Sequence, residues 1–138
     1  MKVVLDTNIW LSGIFWQGNP YKIIKLAEQR KIEVIISKQI LEEVIRVLSR
    51  ESKFQKFIEN RKILIEDLMR TIISISNLVE PKSKINVIKD DTDDNKFLEA
   101  GVDGKADFII SGDRHLLDLG QFSGIKILNA REFLEIYD

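Results

Sequence analysis

Val3-Val4-Leu5-Asp6-Thr7-Asn8, near the start of the chain, sets an unbroken apolar run directly against a carboxylate and two hydrogen-bonding side chains. A run with no polar alternation fits a strand covered on both faces, as in a parallel sheet between two helical layers. Val34-Ile35-Ile36, Phe108-Ile109-Ile110 and Ile125-Lys126-Ile127-Leu128 continue the series. Helical patterns fall between these runs, over residues 21–30, 38–48, 62–75, 95–100, 114–119 and 130–137. The alternation predicts an α/β protein, a three-layer α/β/α sandwich around a central, mostly parallel sheet. Asp6 then stands at the carboxyl end of the first strand, where open α/β sheets place their ligands.

Working outward, the clearest helix is the one over 62–75. Leu64, Ile65, Leu68, Met69, Ile72 and Ile73 recur around one face, which predicts core packing. Asn129 followed by Glu132 reads as a capping box for the last helix, and Gly120 sits where a helix stops. Glu80 to Asp94, with Pro81, several lysines and Asp90, Asp91, Asp93 and Asp94, is the most loop-like segment. No repeat or interdomain linker is visible. The 138 residues, 44% hydrophobic, suffice to close one core and are too few for two ordinary domains, so a single domain over 1–138 is expected.

Composition narrows the chemistry. With 21 basic and 22 acidic side chains the net charge is −1, so any basic surface for a polyanion must be local. There is no cysteine, which excludes disulfides and thiolate metal sites. The only histidine is His115, so a zinc cluster of several histidines is excluded and a Ser-His-Asp mechanism would have to run through that residue. No apolar run approaches the roughly 20 residues of a membrane span, and the start turns polar too soon for a signal peptide. A cytoplasmic protein without membrane attachment is expected.

Carboxylates dominate what is left. Asp113 repeats the arrangement of Asp6, following Phe108-Ile109-Ile110 and the bend Ser111-Gly112; either residue could equally serve as a turn or helix cap. In the helical run Ile40-Leu41-Glu42-Glu43-Val44, Glu43 borders the apolar arc on the Val47 side and is better placed than Glu42 to turn inward. Among the four clustered aspartates, Asp94 shares a face with Phe97 and Leu98, which should dock on the core and hold its carboxylate near the sheet edge. Glu99 lies about 140° around the helix from Asp94 and is a weaker candidate. Carboxylates gathered at one edge of a parallel sheet make a hard-oxygen site for Mg²⁺ or Mn²⁺. Such an ion can neutralise a phosphodiester and lower the pKa of an attacking water. Asp6, Glu43, Asp94 and Asp113 are the expected metal ligands and catalytic residues. Thr7, Asn8 and Ser111 are expected to orient them.

The four segments together resemble the PIN-domain family of ribonucleases, which includes toxin subunits of prokaryotic toxin–antitoxin pairs. Val-Leu-Asp6-Thr-Asn resembles its opening strand and first acid. Ile-Leu-Glu-Glu43-Val-x-Arg-Val-Leu resembles the second-acid helix, Asp-Asp94-Asn-Lys-Phe-Leu-Glu the third and Ile-Ile-Ser-Gly-Asp113-Arg the fourth. The closing Gly-Ile-Lys-Ile-Leu-Asn-Ala-Arg-Glu-Phe-Leu is similar to a subgroup of toxin components. The resemblance covers nearly the whole chain. It implies metal-dependent endonucleolytic hydrolysis of RNA leaving 3′-hydroxyl and 5′-phosphate ends, one or two metal ions, a small antitoxin protein as partner, and a homodimer. One departure is His115, where many relatives carry a second Asp two residues after the fourth acid.

RNA also needs cations outside an acidic pocket. Arg114, adjoining Asp113, ranks first, with His115 as a further candidate. Arg46, Arg50, Lys53, Lys56, Arg61 and Lys62 form a basic stretch downstream of Glu43, equally readable as a solvated helix face. Two rivals stay open: a PIN-like module that binds RNA or protein without cleaving, and a magnesium-dependent phosphatase of another α/β fold. The second lacks its usual Asp-x-Asp, since Asp6 is followed by Thr7-Asn8.

Overall fold

The computed structural model describes residues 1–137. Six strands, β1 (Lys2–Leu5), β2 (Glu33–Ser37), β3 (Ser76–Val79), β4 (Phe108–Ile110), β5 (Gln121–Phe122) and β6 (Ile125–Leu128), form one sheet in the order β3-β2-β1-β4-β6-β5. Every neighbouring pair is parallel except the short β5 against β6. Parallel neighbours need crossovers, and helices supply them. α1 (Thr7–Phe15) and α2 (Asn19–Glu28) join β1 to β2, while α3 (Lys38–Arg50), α4 (Ser52–Arg61) and α5 (Ile65–Ser74) join β2 to β3. α6 (Asn95–Asp103) leads into β4, α7 (Arg114–Leu119) follows it, and α8 (Ala130–Tyr137) closes the described chain.

The chain steps from β1 to β2 to β3 in one direction, then returns to place β4 on the other side of β1. With right-handed crossovers this reversal puts α6 on the face opposite α1 and α2. It also opens a crevice between the carboxyl ends of β1 and β4, the switch point where such sheets bind ligands. Val3, Val4, Leu5, Ile109 and Ile110 are wholly buried, as their unbroken apolar runs require. α6 packs against β1, β2 and β4. Gly104 makes that approach possible at the helix end: a Cβ there would lie 2.7 Å from Ile35 Cγ2 and 2.8 Å from the Ala100 carbonyl oxygen.

Some elements differ from the sequence expectation. α1 has no amphipathic signature because Ile9, Trp10, Leu11 and Phe15 bury it nearly all round, and Gly13 sits hard against α2. α4 buries only Phe54 and Ile58, and ends at Lys62 in the left-handed conformation (φ 53°). The helix expected over 62–75 therefore begins later, as α5. Its apolar face is only partly covered: Ile72 is buried, whereas Leu64 is 61% and Ile73 46% exposed. α5 lies beside the edge strand β3 and packs on α3 and β3, so one line of that face is covered and the rest meets solvent. The capping box forms as expected, with Asn129 and Glu132 each accepting a backbone N–H from the other, and Gly120 ends α7 with φ 75°.

Candidate active site

Asp6 is placed by two elements at once. Its Oδ1 accepts the Ile9 N–H at 2.9 Å and caps α1, while Oδ2 accepts from the Ser111 hydroxyl and from the Gly112 N–H at 3.2 Å. The sheet ladder continues through it, Asp6 N–H to the Ile110 carbonyl at 3.0 Å, so β4 and β1 hold the two carboxylate-bearing turns side by side. Burial pushes the Asp6 pKa up, opposed by the hydrogen bonds from Ser111, Ile9 and Gly112. Asp113 repeats the device: its Oδ1 accepts the His115 N–H at 2.8 Å and caps α7, and the Ser111 hydroxyl oxygen accepts the Asp113 N–H at 2.9 Å. Ser111 thus fixes both acids.

Glu43 reaches the same place from the second turn of α3, whose start is fixed by Ser37 accepting the Ile40 N–H. The Thr7 hydroxyl donates to its Oε1, and the Lys96 ammonium donates to its Oε2. Arg46 stands 3.7 Å from that second oxygen. Lys96 and Glu43 are both mostly buried, so the pair joins α3 to α6 across the top of the crevice.

Asp94 is buried and, unlike Asp6 and Asp113, does not cap its own helix. Phe97 and Leu98, nearly and wholly buried, anchor it. Its pKa is pushed up to about 7, first by burial, then by the nearby charges of Asp113 and Asp91. Its Oδ2 is buried with no hydrogen-bond partner among the described residues, and so is His115 Nδ1, 4.0 Å away. His115 Nδ1 is also 3.7 Å from Asp113 Oδ1. Asp91, Asp94 and His115 present ligand atoms within 4.8 Å of one another.

The segment ahead of Asp94 lacks regular structure until a 3-10 turn at Thr92–Asp94, yet it is tied down. Asn95, Glu99 and Asp103 stand at i, i+4 and i+8 on α6 and form a polar rail along it. Asn95 Oδ1 accepts the Val87 and Ile88 N–H groups at 3.1 and 2.9 Å, and its Nδ2 donates to the carbonyls of Ile88 and Thr92, both at 2.9 Å. Glu99 accepts the Ile85 N–H at 2.9 Å. Asp103 accepts the Lys82 and Ser83 N–H groups and the Ser83 hydroxyl, which hold its pKa down. Glu99 therefore holds backbone, and the loop carrying Asp91 is fixed relative to Asp94.

Asp6, Glu43, Asp94 and Asp113 line one cavity of about 250 Å³, with Thr7, Asn8, Val47, Glu51, Asp91, Asp93 and Phe97. Seven of the lining side chains are carboxylates and none is a cation. Arg114 does not join them: it is exposed and pairs along α7 with Asp118 at 3.6 Å. Lys96 escaped the sequence reading, although a lysine two positions past a cluster of four acids is a signal of charge compensation. The chemistry of the set, hard oxygens with an unpartnered buried oxygen on Asp94, fits a divalent cation.

A family model described as PIN domain matches residues 2–115. Among solved structures, the fold is similar to the crystal structure of VapBC2 from Rickettsia felis bound to a DNA fragment from their promoter. The TM-score is 0.63 at 14% identity, over 94% of this chain and 98% of that one. No curated protein matches. The chain belongs to the PIN domain family. PIN domains are generally metal-dependent nucleases, so the coarse class of the chain is nuclease.

Proposed function

We propose that this PIN domain, as a single unit over 1–138, is a Mg²⁺- or Mn²⁺-dependent endoribonuclease and the toxin component of a toxin–antitoxin pair. The observation that carries the reading is the convergence of Asp6, Glu43, Asp94 and Asp113 on one cavity at the β1–β4 switch point. Asp6, Asp94 and Asp113 would hold the metal with Glu43, and Asp91 and His115 offer further donors at Asp94. When bound, a divalent ion supplies positive charge to a phosphodiester and lowers the pKa of an attacking water.

The chain's own residues do the rest. Ser111 and the Gly112 N–H aim Asp6, while Thr7 and Lys96 aim Glu43. Burial and the neighbouring charges of Asp113 and Asp91 push the Asp94 pKa up to about 7, and a cation held there would favour its charged form. Asn8 lies at the pocket wall, and Arg46 and Lys96, both beside the pocket-lining Glu43, are cations that would meet a phosphate entering there. A small antitoxin protein and a homodimer belong to the same reading, supported by the fold shared with a VapBC2 structure and by the uncovered faces of Leu64 and Ile73.

The deciding test is cleavage of labelled single-stranded RNA by the purified chain with Mg²⁺, with Mn²⁺ and with EDTA. Metal-dependent products ending in 5′-phosphate are expected. RNA left intact at stoichiometric enzyme, with either metal shown to be bound, would leave a binding module instead.

A further inference from the structure

From the outer end of α1, we infer a second RNA-binding element: an aromatic and cationic platform of Trp16, Phe57, Lys53 and Arg61, backed by the buried Phe15 and Phe54, that stacks the bases of single-stranded RNA leading out of the acidic pocket. It rests on the RNA-cleavage reading. Four aromatic rings meet where α1 ends against α4. Phe15 contacts Phe54 and Phe57 with ring centres 5.2 and 4.8 Å apart, and Trp16 leans on Phe54 at 5.5 Å. Phe15 and Phe54 are buried and account for the packing. Trp16 is not accounted for that way, because it is 45% exposed, the costliest apolar ring to leave in water.

Cations already sit on these rings. The Lys53 ammonium is 5.8 Å from the Trp16 ring centre and 5.0 Å from that of Phe54, and the Arg61 guanidinium is 4.2 Å from Phe57. Charge identifies the occupant. The chain as a whole is −1, yet residues 50–62 carry Arg50, Lys53, Lys56, Arg61 and Lys62 against only Glu51 and Glu59. Exposed aromatic faces bordered by basic side chains are the means by which proteins hold unpaired nucleic acid: rings take bases, and Lys and Arg take phosphates. An apolar peptide would not call for this excess of positive charge.

The platform is continuous with the site. Glu51 lines the acidic cavity, and its carboxylate pairs with Lys53 at 3.7 Å. α1 itself spans the distance, since it begins at the Asp6 cap and its nine residues run about 13 Å to Phe15. A strand cut at the pocket would therefore lay its flanking nucleotides over Val47 and Glu51 onto Trp16.

Fluorescence tests this directly, because the other tryptophan, Trp10, is wholly buried and leaves Trp16 as the responsive one. The full chain carrying Asp6→Asn, which prevents cleavage, is titrated with a single-stranded RNA of about 12 nucleotides. RNA should quench the exposed tryptophan. Read by the anisotropy of end-labelled RNA, which needs no tryptophan, adding Trp16→Ala should weaken binding by about tenfold, the loss of one stacked base. Lys53→Glu, at an exposed position, should weaken it as well and make its loss with salt shallower, because one fewer phosphate is neutralised. In a chain that keeps Asp6, Trp16→Ala should leave Mn²⁺ binding by calorimetry unchanged. RNA bound with equal affinity by all three proteins would overturn the platform and leave the ribonuclease reading standing. Quenching by an apolar amphipathic peptide and not by RNA would overturn it in favour of a protein partner. An Asp6→Asn chain that does not bind RNA, together with an unsubstituted chain that does not cleave it, would take down both.

Discussion

Asp94→Asn should make the protein more stable in EDTA, and the size of the gain follows from where Asp94 sits. Its carboxyl keeps a proton up to about pH 7 against an ordinary 3.8, because it is buried and because Asp113 and Asp91 stand beside it. Between those pH values the native chain holds a proton that the unfolded chain has released. Stability must therefore fall as pH rises from about 4 and level off above about 7. At about 1.36 kcal/mol per pH unit the full displacement is about 4 kcal/mol, and water at the pocket mouth screens part of it, leaving about 2–4 kcal/mol. Asparagine carries no charge to bury. Urea unfolding in EDTA should show the variant about 2–4 kcal/mol more stable than the parent at about pH 8, narrowing to about 1 kcal/mol at about pH 5. Asp6, raised by burial too, leaves a residual slope in both proteins. Millimolar Mn²⁺ should then raise the parent's melting temperature more than the variant's, since binding stabilises by mass action and the variant has lost a ligand. A variant no more stable than the parent at the higher pH, with the same pH slope, would refute the placement of a strained carboxylate at this position.

Asp6→Asn should lower Mn²⁺-dependent RNA cleavage by more than about 100-fold with the urea midpoint unchanged or raised; wild-type rates in a metal-replete sample would remove Asp6 from the site. Lys96→Met leaves Oε2 of Glu43 without its buried partner and should weaken Mn²⁺ binding in calorimetry by roughly tenfold, because Lys96 aims that carboxylate; tighter binding would show that the ammonium masks Oε2 and competes with the ion. Asn95→Ala removes the side-chain partner of the buried Ile88 N–H, the partly buried Val87 N–H and two carbonyls, which should cost about 2–4 kcal/mol and admit limited proteolysis between residues 82 and 91. Gly13→Ala would put a Cβ 2.4 Å from Ile24 Cγ1 and 2.9 Å from the Pro20 carbonyl oxygen, and should cost about 1–3 kcal/mol by denaturant unfolding.

The strands that build the site were legible because each is buried on both faces, and burial of that kind writes itself as an unbroken apolar run ending at a turn. α1 was not, for the complementary reason. A helix surrounded by core has no polar face, so its periodicity vanishes into the apolar content that also describes a strand. α5 shows the reverse error: a regular apolar stripe predicts burial only if something covers it, and at the sheet edge β3 and α3 cover one line. The rail of Asn95, Glu99 and Asp103 was hidden because its partners are backbone groups, which leave no trace in residue type. Glu43 was readable from its position on the helical arc, but its partner Lys96 lies 53 positions away and belongs to another face of another helix.

At Asp6 and Asp113 two readings competed, a helix cap against a site carboxylate, and the geometry makes them one. In each case a single oxygen takes the cap bond while the residue also lines the acidic cavity. The cap fixes the carboxylate, so the helix start that follows β1 or β4 serves as the support for the site. This coincidence decides which substitution is informative. Alanine at position 6 would remove cap and charge together and would mix a folding loss of about 1 kcal/mol with a chemical one. Asparagine caps a helix as well as aspartate does, and its carbonyl can still accept the Ile9 N–H. What it cannot do is supply the second anionic oxygen that Ser111 and Gly112 now aim into the crevice. Its amide nitrogen would instead face the Gly112 N–H and the Ser111 hydroxyl, so loss of cleavage in Asp6→Asn without loss of α1 would measure the charge together with these two hydrogen bonds, apart from the cap.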